Sequence, residues 1–151
     1  MPTTAAEPTS DHTAQCCLAA LLRMSGLRPT WQRLALGELL FSNGHRHVSA
    51  ETLHTEIGRI RPMSLATVYN ILRQFADAGL IRRLPVAAMQ AIYNTDTSNH
   101  CHVFDPASGR VADASADDLG ALALPTGFAR QAPGRVDVVI TMRQSTAPNV
   151  G

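Results

Sequence analysis

The sequence predicts an α+β fold in which a helical first half, closed by a short β-hairpin, is followed by a smaller α/β half. Three observations carry this. Up to residue 79, apolar residues recur at steps of three and four in four successive runs, the period of an amphipathic helix. After Gly79 the pattern changes to short β-prone stretches on either side of a Pro/Ala loop. From His100 onward, alternating stretches flank the turn sequence Asp105-Pro106-Ala107-Ser108-Gly109. Helices first and strands afterwards, rather than a strict alternation of the two, select α+β.

The whole chain sets bounds on this. Its 151 residues suit one ordinary domain or two small ones, and 45% hydrophobic content suits a folded protein. The net charge of +1 conceals an asymmetry: residues 28–83 carry eight Arg against four acids, whereas residues 94–151 carry four Arg against six acids. All 13 basic residues are Arg. Three cysteines, Cys16, Cys17 and Cys101, form neither a CxxC pair nor an even framework, which points to a reducing, cytoplasmic setting. No apolar run approaches the roughly 18 residues of a membrane span, and no export signal opens the chain, so no membrane partner is expected. The expected organisation is a mobile tail over residues 1–13, a helical unit closed by a hairpin over 14–94, a short connection over 95–98 and a smaller α/β unit over 99–151.

Taken in order, Cys17, Leu18, Leu21 and Leu22 give a helix over 14–24, ended by Ser25-Gly26. The adjacent Cys16 and Cys17 cannot both face a core, and packing of at least one is expected. Thr30 caps a second helix over 31–41 whose buried face is Leu34, Leu36, Leu39 and Leu40. Ser49 caps a third over 50–60, packing through Leu53, Ile57 and Ile60. After the turn Arg61-Pro62-Met63, Ser64 caps the fourth, SLATVYNILRQFADAGL, with Leu65, Val68, Ile71, Leu72, Phe75 and Ala76 on its apolar face and Ala78-Gly79 as its stop. Two helices joined by a tight turn make a helix-turn-helix. Strands over 80–84 and 89–93 around a loop add a wing. In the second half, strands are expected over 100–104, 110–114, 128–130 and 135–142, with a short helix from 115 or 116 to about 124. Some 55 residues make a small core, which pairing across a two-fold axis would enlarge.

The polar face of the fourth helix carries Thr67 and Asn70, with Tyr69 at its edge, and its first two turns hold no acid. Such a face suits a helix entering the major groove of double-stranded DNA, with Arg28, Arg33, Arg82 and Arg83 placed for phosphates. A solvated helix face is the bland reading of the same residues. His100 and His102, two apart on a strand, point to one side and Cys101 to the other, a plausible start for a divalent metal site.

At this point HVSAETLH, SLATVYNILRQFADAGLIRR and the strand beginning HCH resemble the ferric uptake regulator family over about residues 27–113. RPTWQRLALGELLF, LPTGF and VDVVITMR look closest to its iron response regulator branch, whose members sense iron status through haem. The resemblance implies a homodimeric, metal- or haem-responsive transcriptional regulator of iron-related genes. Its winged-helix half binds DNA, its α/β half dimerises, and metal bound between the halves sets their orientation. It implies His47, His100, His102 and Asp113 as ligands of Fe2+, Mn2+ or Zn2+. Pairing of Asp105 with Arg110 would set Asp113 opposite His102, and a slip of one residue would turn it away.

The sequence departs from the family at several places. Asn94 stands where a carboxylate ligand is expected, and an amide cannot supply its charge. Cys101 replaces the central histidine of the haem-sensing branch and is itself a candidate haem or redox residue. Asp105 and Ser108 occupy the first positions of a structural CxxC, so no four-cysteine zinc site is expected. His45 and His54 read as surface residues. The rival classes are a winged-helix protein-interaction module with a vestigial metal site and a metal-dependent enzyme. For the enzyme, no oriented base and oxyanion donor are evident.

Overall fold

The computed structural model describes residues 10–115 and 137–143, with side chains from Thr13 onward. The chain divides into two units: Met1–Arg83 with Ile92–Thr97, and Leu84–Ala91 with Ser98–Gly151. Residues 84–91, read from sequence as the loop and adjoining strand ends of the first domain's wing, group with the second unit.

The first unit holds helices α1 (Ser10–Met24), α2 (Trp31–Phe41), α3 (Ala50–Gly58) and α4 (Leu65–Asp77) and strands β1 (His47–Ser49), β2 (Arg82–Arg83) and β3 (Ile92–Asn94). Hydroxyl caps start three of the helices. Thr30, Ser49 and Ser64 have extended backbones, and their side chains accept from the N–H groups of Arg33, Thr52 and Thr67, satisfying donors that the helix leaves open. At the end of α4, Gly79 takes φ 74°. The N–H groups of Gly79 and Leu80 then return to the carbonyls of Ala76 and Phe75, so the chain turns without losing its last acceptors.

The core of this unit is what the helical period implies. Leu22, Leu36, Leu40, Leu53, Ile57, Val68, Leu72 and Phe75 are fully buried. Phe41 of α2 stacks on Phe75 of α4 with ring centroids 6.4 Å apart. Gly37 lets α1 approach α2 closely, because a Cβ there would lie 3.0 Å from both terminal methyls of Leu18.

Several expectations are corrected. Helix α1 begins at Ser10, inside the stretch read as tail. Both Cys16 and Cys17 are exposed. The apolar face of α1 does turn toward α2, but Cys17, Leu18 and Leu21 line an open groove of about 330 Å³ with Gly37 and Phe41 rather than a closed core. Leu34 and Leu39 are only half-buried. Helix α3 stops at Gly58, so Ile60 falls in the turn and is 69% exposed instead of packed. Strand β1 was not evident in the sequence. It exists through pairing with β3, which joins His47 to Asn94 and Ser49 to Ile92 in the sheet order β1-β3-β2. The hairpin strands are correspondingly short, with Arg82 opposite Asn94 and Arg83 opposite Tyr93.

In the second unit, β4 (Cys101–Asp105) pairs antiparallel with β5 (Arg110–Ala114) and parallel with β6 (Val139–Thr141). Strand β6 is shorter than the stretch read for it. The register is the one the four-residue turn requires: Asp105 opposes Arg110, and His102 opposes Asp113. The helix expected to run to about residue 124 and the strand expected over 128–130 lie outside the described residues.

Candidate metal centre and reading helix

The second unit brings three of the four expected ligands together. The β4 pleat sends Phe104 and His102 inward, both essentially unexposed, while Cys101 and Val103 on alternate positions remain half-buried. His100, immediately before β4, lies on the His102 side, and the two imidazole centroids are 4.5 Å apart. Across the ladder, Asp113 projects from β5. Its Oδ1 is 2.9 Å from Nε2 of His100 and 3.5 Å from Nε2 of His102. Ser98 Oγ lies 3.3 Å from Nδ1 of His100 and steadies that ring from behind. Two Nε2 atoms and a carboxylate oxygen thus converge on one point. That is a nitrogen-and-oxygen donor set suited to a borderline divalent cation.

His47 opens β1 in the first unit and is half-buried. Its segment is firmly anchored there. The neighbouring Arg46 forms a two-pronged ion pair with Glu56 at 2.7 and 3.0 Å and donates to the Leu39 carbonyl. The Arg46 N–H donates to Thr95 Oγ1, and the Thr95 N–H donates back to the Arg46 carbonyl. Asn94 is fully buried in β3, and its Oδ1 accepts from the Asp96 N–H at 2.8 Å. Its amide therefore shapes the turn out of β3.

The turn that carries the β4–β5 register is built from oxygen ligands to its own backbone. Asp105 Oδ2 accepts from Ser108 Oγ at 2.6 Å, and Oδ1 accepts from the Ala107 N–H at 3.0 Å. The Ser108 hydroxyl, and secondarily the Ala107 N–H, hold the Asp105 carboxyl below its ordinary range.

On α4, Val68, Ile71, Leu72 and Phe75 face the core, while Asn70 and Arg73 are exposed and Thr67 and Tyr69 half-buried. Thr67 is part of the cap, its hydroxyl 2.8 Å from Ser64 Oγ. The Tyr69 hydroxyl donates to Glu51 Oε1 on α3. That bond holds the Glu51 carboxyl below its ordinary value and raises the Tyr69 phenol. Burial pushes the Tyr93 phenol up, against the opposing charge of Arg83.

Of the four arginines singled out, Arg28 and Arg83 are exposed and Arg82 is half-buried, one of its amino groups 3.4 Å from the Asp96 carbonyl. Arg33 is already committed. Its Nε and one amino group donate to Gln74 Oε1 of α4 at 3.0 and 2.8 Å, and the other donates to the Arg28 carbonyl at 2.6 Å. It orients α4 rather than offering a free guanidinium. Sequence reasoning missed Glu51, Gln74 and Glu56, whose partners lie 18, 41 and 10 residues away with no local pattern to announce them.

The model of the ferric uptake regulator family matches residues 24–125, two thirds of the chain. The peroxide-responsive repressor PerR of Staphylococcus saprophyticus is 32% identical over 106 residues, 70% of each protein. Among solved structures, the ferric uptake regulator of Vibrio cholerae superposes with a TM-score of 0.66 at 25% identity, covering 83% of this chain and 98% of that one. The Pseudomonas aeruginosa ferric uptake regulator, solved with manganese, gives a TM-score of 0.65 at 25% identity over 84% of this chain and 97% of that one. With the family model spanning both α4 and the histidine strand β4, this chain belongs to the ferric uptake regulator family.

Proposed function

We propose that this chain is a metal-responsive transcriptional repressor that binds double-stranded DNA as a homodimer. The observation that carries the reading is the convergence of His100, His102 and Asp113 on one point beside a buried strand. Two imidazole nitrogens and a carboxylate oxygen at this spacing form a donor set that a divalent cation can occupy. His47, from the first unit, is the further imidazole. The donor set takes Fe2+, Mn2+ or Zn2+, and the relative solved with manganese favours Mn2+ as the first ion to test. When bound, the metal supplies a fixed coordination geometry, and its binding energy favours whichever conformation completes the shell.

DNA recognition rests on α4, whose opening turns carry exposed Asn70 with half-buried Thr67 and Tyr69 beside it as the proposed readers of base edges. Arg28, Arg82 and Arg83 supply phosphate contacts, and Arg33 holds α4 against α2 through Gln74. Members of this family are regulators, and nothing in the proposed role requires a chemical step.

The test is a titration of the full chain, His47→Ala and His102→Ala with Mn2+, followed by calorimetry. Each substitution should weaken binding by at least about 10–100-fold, because a lost inner ligand costs at least as much as a lost supporting one. Equal affinity in all three proteins would sink the metal site. A parallel haem titration with Cys101→Ala separates the second ligand: a Soret band lost in that variant alone would move sensing to the thiol.

A further inference from the structure

The reading surface contains one carboxylate that neither base nor phosphate recognition calls for. Glu51, in the first turn of α3, accepts from the Tyr69 hydroxyl of α4 through Oε1, and its second oxygen is buried. Charge acts across the same cluster from the wing strands. Glu51 and Arg83 of β2 exert opposite effects on the phenols of Tyr69 and of Tyr93 in β3. All four residues belong to the first unit, and the Tyr69–Glu51 hydrogen bond joins α4 to α3.

A negative charge on a surface that approaches phosphates weakens attraction to every DNA sequence alike. A better choice among sequences would offset that loss. Here the carboxylate provides one by restricting the Tyr69 side chain. A tyrosine on a half-exposed helix face samples several rotamers, and a charge-assisted hydrogen bond to a carboxylate fixed in the neighbouring helix selects one. The ring next to Asn70 is then presented in a single orientation. We propose that Glu51 is a specificity-determining positioning residue, which gives up sequence-independent DNA affinity in exchange for base discrimination by Tyr69. This inference rests on the assignment of α4 as the reading helix.

The experiment selects a preferred duplex from a random library with metal-loaded wild type. It then measures anisotropy binding of that duplex and of a scrambled one across a salt series. The variants are Glu51→Gln, which keeps shape and an acceptor but removes charge, Tyr69→Phe, and the double variant. In Glu51→Gln, affinity for scrambled DNA should rise, the salt dependence should steepen, and the preferred-to-scrambled ratio should fall about tenfold, as expected when a charge-assisted hydrogen bond is reduced to a weaker neutral one. Tyr69→Phe should lower the ratio similarly without steepening the salt dependence, and the double variant should fall no further. An unchanged ratio in Glu51→Gln beside a discriminating wild type overturns the role of Glu51 alone. So does a parallel loss of both affinities with a lowered melting temperature, since that marks a purely structural carboxylate. A wild type with no preference at all overturns the assignment of α4, and this proposal with it.

Discussion

Helix α4 and strand β4 solve the same problem in opposite ways. In α4 the buried residues are Val68, Ile71, Leu72 and Phe75, and the polar groups proposed to read DNA stand on the other face. In β4 the buried residues are Phe104 and His102, so a candidate ligand is itself part of the core. A helix has enough circumference to separate what holds it from what it offers. A strand with a two-residue period, packed on one side, has only one interior, and a ligand that must be dry has to share it. The outward face of α4 can therefore change at less cost to packing, whereas β4 cannot change its candidate ligand His102 without disturbing its core.

The comparison breaks most visibly at the core of α4. Phe75→Ala empties a fully buried site that Phe41 stacks upon, and thermal or urea denaturation should show a loss of about 3–5 kcal/mol. A loss below about 1 kcal/mol would mean that α4 is not the centre of its unit. On the opposite face, Asn70→Ala should leave the melting temperature unchanged. It should relax base preference by roughly 1–3 kcal/mol in a competition binding assay if the amide reads a base edge. An equal weakening toward preferred and scrambled duplexes would remove Asn70 from the readers.

The smallest effect is one of pH and sharpens the second half of the comparison. The Asp105 carboxyl is depressed by the Ser108 hydroxyl and the Ala107 N–H, so its stabilisation is present above the ordinary aspartate pKa and disappears as pH falls through the lower folded value. Glu51, depressed by Tyr69, has the same sign. Stability followed by circular dichroism should therefore fall on acidification below about pH 4. The part of that slope due to the turn should be missing in Asp105→Asn.

What could be read in advance was local. The caps Thr30, Ser49 and Ser64, the Gly79 stop and the apolar stripe of α4 depend on residues three or four apart. The register of Asp113 against His102 followed from the length of one turn. What escaped depends on partners far along the chain. Strand β1 is three residues of mixed character that become a strand only beside β3, some 45 positions later. The exposure of Ile60 follows from where α3 stops, and that of Cys16, Cys17 and Leu21 from how little of α1 is covered by α2. The links Tyr69–Glu51 and Arg33–Gln74, which tie α4 to its neighbours, join residues that no periodicity relates.

The turn between β4 and β5 has one more consequence. Where the family pattern places thiolates, a carboxylate and a hydroxyl close the turn on themselves. Oxygen groups of this kind are neither stripped by a chelator nor converted by an oxidant, in contrast to a zinc-thiolate knot. The hairpin that aligns His102 with Asp113 should keep its shape through metal starvation and oxidative stress alike, so losing the signal ion and losing the scaffold that awaits it become separate events.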